Sequence, residues 1–273
     1  MNNVVISIAT LIAYFGSATL IGWRLFTHQP DASTARLRGV TLGLAYAGLT
    51  LHTWLLYMAL FSQDGLNLGF FNALSLAAWT VVASLLLSSL TKPIENLGLV
   101  ILPLAGLSVL LDMFYPSTPF LAENSSWVLK LHVLLSMLAY SLLTLGSVQA
   151  GLLWVQDSYL RGGKPGGFVR ALPPLMTMEA LMFEMIGIGF ILLTLALLSG
   201  FAFLDNMFAQ HVVHKTVLSV VAWLVFGGLL LGRRLWGWRG RKAISWTLTG
   251  FGILILAYFG SKLVLELILA QSA

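Results

Sequence analysis

A chain of 273 residues that is 58% hydrophobic and only 9% charged, with a mean hydropathy of +0.90, is built for lipid. Soluble domains carry about 25% charged residues, so the composition excludes a water-soluble globular protein, and the +5 net charge is a topology signal rather than a nucleic-acid footprint. The chain has no cysteine, which rules out CxxC redox chemistry, thiolate metal sites and thioether attachment of a cofactor to this chain.

Eight apolar runs, at 4–26, 39–61, 70–90, 97–115, 127–156, 180–203, 215–235 and 245–270, are long enough to span a bilayer. At about 20 residues each they predict helices, not the roughly 10-residue alternating strands of a barrel. Short loops join them, so the expected fold is all-α: one polytopic bundle of eight transmembrane helices forming a single domain, 1–273. The first run lacks a basic leading segment and is too long for the apolar core of a cleavable signal peptide, so it reads as a span. With the N-terminus outside, the inner loops collect twelve of the fifteen Lys and Arg, leaving Lys130, Lys215 and Lys262 at outer ends. The positive-inside rule therefore predicts both termini on the outer side. Trp23, Trp127, Trp154, Trp236, Trp238 and Trp246 fall at span ends as an interfacial belt, whereas Trp54, Trp79 and Trp223 lie deeper.

Polar side chains inside the spans are the informative ones, because an ionisable group in a membrane is costly and marks a ligand, ion or proton pathway or a bundle contact. His52 lies near the middle of the second run, roughly 14 Å below its outer end at about 1.5 Å per residue. Gly43 and Gly48 beside it permit close approach of a helix or a flat ligand. In the fifth run His132, Ser136, Tyr140 and Thr144 recur every four residues and should share one slowly rotating face, with His132 roughly 8 Å deep. Each histidine fits two roles, an interhelical hydrogen bond or a metal or cofactor ligand. His211 and His214 belong to the outer loop before the seventh run, and His28 to an inner loop, where solvation is the ordinary reading. Tyr258, Lys262 and Glu266 are four apart in the last run, so Lys262 and Glu266 can pair on one face. Glu184 lies about a turn inside the sixth run and fits a snorkelling or loop-paired carboxylate.

No HExxH, P-loop or GxSxG motif is present, and two distant histidines do not make a zinc site. Haem makes a smaller demand. Its porphyrin supplies four nitrogens, so one or two axial histidines from separate helices are enough.

Several stretches sharpen this reading: His132-Val-Leu-Leu-Ser-Met-Leu-Ala-Tyr; Leu172-Pro-Pro-Leu leading to Gly187-Ile-Gly-Phe-Ile-Leu-Leu-Thr and Ser199-Gly200; Gly237-Trp-Arg-Gly-Arg-Lys; and Tyr258-Phe-Gly. In these the chain resembles the cytochrome c assembly family of haem-handling membrane proteins, the CcsA and CcmC type, and within it the inner-membrane branch labelled YpjD-like. That family holds haem with a histidine pair inside the membrane and a second pair near the outer face, flanking a tryptophan-rich loop. By this resemblance His52 matches the first intramembrane histidine and His132 the first outer one. The chain departs from the pattern in three places. No tryptophan lies between Gly200 and Trp223, the second intramembrane histidine is replaced around Leu229–Arg234, and the second outer histidine is absent beyond Tyr258-Phe-Gly.

The resemblance thus implies an integral inner-membrane protein that binds or relays non-covalent haem b through His52 and His132, without thioether synthase activity. Gly48, Trp54, Ser136, Tyr140 and Trp223 would shape the pocket, and other membrane or periplasmic assembly proteins would be partners. Binding and hand-over require no catalysis. The estimated depths of the two histidines differ by only about 6 Å, so both could also ligate one haem from opposite sides. Two rival readings stand beside this one: a small-molecule transporter that uses the histidines for substrate or protons, and a structural membrane partner that has lost haem binding.

Overall fold

In lipid, an apolar run can satisfy its own peptide groups only by closing them within a helix, and the predicted runs do so. The computed structural model describes residues 2–27, 31–62, 65–66, 70–115, 127–163, 169, 172–203 and 213–260. Its helices are α1 (Asn2–Thr27), α2 (Asp31–Leu60), α3 (Phe70–Ser89), α4 (Gly98–Phe114), α5 (Trp127–Arg161), α6 (Leu175–Phe203), α7 (Val213–Trp236) and α8 (Gly240–Ile255). The first seven include segments long and apolar enough to cross a membrane. α8 continues into a π-helical turn, Leu256–Gly260. The rest of the predicted eighth span, with Lys262 and Glu266, lies outside the described residues. The architecture is all-helical apart from a two-residue antiparallel ladder, Phe61–Ser62 with Gly65–Leu66.

The helices form two compact units. In the first, α1 packs against α2 and α4, and α3 packs against the same two helices. Small residues set how closely α1 and α2 approach. A Cβ at Gly48 would sit 2.6 Å from a ring carbon of Tyr14, which is itself fully buried. Side chains then tie helix to helix: Ser17 donates to the Thr41 carbonyl (2.8 Å) and Tyr46 to the Leu86 carbonyl (3.1 Å). At the end where α1 finishes, Glu95 accepts from Arg38 (2.7 Å) and Arg24 (3.3 Å).

The second unit holds α5 up to Val155 together with α6, α7 and α8. α7 packs against both α6 and α8. α5 and α6 touch where glycines leave room: a Cβ at Gly189 would fall 2.9 Å from Leu143, and one at Gly146 3.0 Å from Ile186. Further along the pair, Gln149 donates to the Met178 carbonyl at 3.2 Å. The short turn from α7 to α8 uses Gly237 and Gly240 at φ of 65° and 56°, a left-handed backbone that glycine adopts without Cβ strain. Glu179 braces that turn. It accepts from the Gly240 amide (3.1 Å) and pairs with Arg233 (3.4 Å) and Arg239 (3.6 Å).

Candidate functional site

His52 is fully buried inside the first unit. Its Nδ1 lies 3.1 Å from the Tyr14 hydroxyl of α1, and its Nε2 lies 2.9 Å from the Ser75 hydroxyl of α3. The Tyr14 ring meets the imidazole edge-on, with centroids 5.9 Å apart. Each hydroxyl can donate or accept, so in either neutral tautomer one hydroxyl donates to the ring's lone pair and the other accepts its N–H. Either way the ring has no lone pair left over. For His52 to bind iron, it must give up one of the two contacts.

His132 belongs to the second unit and is partly exposed. Its Nδ1 lies 2.9 Å from the Ala196 carbonyl and 3.1 Å from Ser199 Oγ, both on α6. A carbonyl oxygen can only accept, so Nδ1 carries the hydrogen, and the neutral ring has its lone pair on Nε2. Ser199 itself donates to the Ala196 carbonyl at 2.8 Å, which holds its oxygen against the ring. The ring lies over Gly200, where a Cβ would come within 3.1 Å of Cε1. Among the described residues no hydrogen bond reaches Nε2. A backbone carbonyl that fixes the tautomer while Nε2 stays open is the second-shell arrangement that metal-ligating imidazoles use. The donor chemistry at His132 therefore suits an axial ligand to iron, and that at His52 does so only after rearrangement.

The predicted face of α5 divides. His132 turns toward α6, whereas Tyr140 packs on α8 against Phe251 and Tyr258, with centroids 5.8 and 6.1 Å away. Four-residue steps advance about 40° each around a helix of about 3.6 residues per turn, so two steps carry the side chain to a different neighbour. Trp223 is anchored within its unit, donating to Thr194 Oγ1 at 2.8 Å and stacking on Phe190 at 5.5 Å. Trp54 is half exposed beside Tyr57 on the outside of the first unit and does not reach the His52 cluster. Gly48 sits against Tyr14, one residue removed from His52 in the hydrogen-bonded chain. His28, His211 and the His214 side chain lie outside the described residues.

Sequence reasoning did not single out Tyr14, Ser75, Ala196 or Asp112, and it quoted Ser199 only as part of a family stretch. Tyr14, Ser75 and Asp112 are each polar in an apolar run and could have been flagged on that ground. Ala196 acts through its backbone, which leaves no mark in the sequence.

The model of the cytochrome c assembly protein family matches residues 43–269. The chain belongs to that family. Among relatives, the inner membrane protein YpjD of Escherichia coli K12 is 34% identical over 217 residues, covering 76% of this chain and 78% of that protein. A 28.8 kDa protein from the nifR3-like 5′ region of Azospirillum brasilense is 29% identical over 277 residues, covering 98% of each. The cytochrome c biogenesis protein CcsA of Thermosynechococcus vestitus is 25% identical over 302 residues, covering 93% of this chain and 90% of that one. No solved structure matches. This family member is thus a polytopic, helical membrane protein.

Proposed function

We propose that this chain is an inner-membrane member of the family that holds haem b non-covalently and binds or relays it, with both termini on the outer face and no thioether synthase activity. The observation that carries this reading is the tautomer of His132: Nδ1–H is spent on the Ala196 carbonyl and Nε2 is open. In this reading His132 is the axial ligand. Ala196 and Ser199 hold its ring, and Gly200 lets the ring lie close to α6. One protein ligand suffices, because the porphyrin fills four iron positions itself. Haem, once bound, would supply a ligand-exchangeable iron, and the chain's part is to grip and release it. His52 would join as a second ligand only by releasing Ser75 or Tyr14. The bilayer and other membrane or periplasmic assembly proteins are the expected partners.

The test is an absorption spectrum of the full chain, purified in mild detergent after expression with a haem precursor. A Soret band that disappears in His132→Ala is expected. A colourless protein that takes up no added haem overturns the reading and leaves a membrane scaffold without cofactor.

A further inference from the structure

At the end of the first unit where α1 begins, a cleft of about 300 Å³ opens between the first turns of α1 and α3 and the last turns of α2 and α4. Its polar lining is Asn3, Ser7, Asn72, Ser75 and Asp112. Asp112 decides its chemistry. This carboxylate sits within the membrane-spanning part of α4, with Oδ1 sealed from solvent, and it makes no hydrogen bond or ion pair with any described residue. An unpaired carboxylate in such a place is expensive, and a positive partner removes the cost. Among the described residues no Lys, Arg or His pairs with it, and residues 53–129 of the sequence hold a single basic residue, Lys92. Lys92 follows α3 at the opposite end of the unit.

The hydroxyls add a second requirement. Ser75 Oγ lies 2.9 Å from His52 Nε2, and in the tautomer that carries its hydrogen on Nε2 the serine accepts there and can donate its own hydrogen into the cleft. Ser7 is buried and lines the same cleft. Val4, Leu55 and Val109 supply apolar wall between these groups. The lining thus asks for a cation with N–H donors, an oxygen acceptor and a short apolar body. A bare metal ion would need several converging oxygen ligands. An anion, haem propionates included, would meet Asp112 with like charge.

We propose that this cleft binds a small primary ammonium bearing an oxygen, an amino alcohol, with Asp112 as its counter-ion and Ser75 as a donor to its oxygen. The site is separate from His132 and does not depend on haem binding.

Calorimetric titration of the full chain in phosphatidylcholine–phosphatidylglycerol nanodiscs tests it, with 4-amino-1-butanol as probe and 4-hydroxybutyrate as its anionic counterpart. Saturable binding of the amine is expected, with the anion at least about tenfold weaker. Asp112→Asn should weaken the amine about tenfold or more, as expected for loss of a charged hydrogen-bond partner, while Asp112→Glu should retain it. Val4→Trp, which fills the cleft and leaves the carboxylate in place, should abolish binding even if Asp112→Asn fails to fold. Replacing phosphatidylcholine by phosphatidylethanolamine separates the sources. A fall in apparent affinity assigns the site to a lipid headgroup, and an unchanged one to a soluble amine. No heat with the amine, equal binding of the anion, or full binding by Asp112→Asn overturns the proposal.

Discussion

The two units treat an intramembrane histidine in opposite ways. In the first, His52 is enclosed and spends both ring nitrogens, one on Tyr14 and one on Ser75. In the second, His132 spends one nitrogen on a backbone carbonyl and keeps the other open. The difference lies in the partner. A hydroxyl on each side can donate or accept and so closes the ring completely, whereas a carbonyl can only accept and so forces the lone pair to the far nitrogen. The same residue type becomes a cross-brace in one unit and keeps a nitrogen lone pair open in the other.

This contrast can be broken or sharpened by substitution. The largest effect is expected from Gly48→Val. Its Cβ would overlap the buried Tyr14 ring, and overpacking of this kind costs about 3 kcal/mol. Thermal unfolding should show the loss, with the haem spectrum of the remaining folded protein unchanged. Gly200→Val should do the reverse. Displacing the His132 ring from the Ala196 carbonyl should weaken haem binding about 10–100-fold, measured by haem titration, with a smaller change in melting. Tyr14→Phe leaves His52 Nδ1 without its hydroxyl partner and should cost about 1 kcal/mol of stability, as interhelical hydrogen bonds in membranes do. Ser199→Ala is expected to be mildest. The Ala196 carbonyl still holds Nδ1, so haem affinity should fall only about threefold. If Ser199→Ala proves worse than Gly200→Val, the carbonyl is not what fixes the ring.

The helices were legible because lipid permits few alternatives: an apolar run from 70 to 90 has to become α3, and it spans Phe70–Ser89. The basic residues were equally readable, although their partners were not. Glu95 and Glu179 reach arginines 54 to 71 positions away in sequence. His52 and His132 stood out by type alone. Which nitrogen of each is available could not be read, because Tyr14, Ser75 and the Ala196 carbonyl lie 38, 23 and 64 positions away. The cleft at Asp112 was hidden for a related reason, since four helix ends from separate stretches of chain build it.

The most direct measurement compares His132→Gly with His52→Gln, each purified with haem and read by absorption with and without added imidazole. The account predicts that His132→Gly loses the Soret band and regains it with imidazole, while His52→Gln keeps the band throughout. Loss of the band in His52→Gln together with its survival in His132→Gly would contradict the assignment of an open nitrogen to His132 and a closed ring to His52.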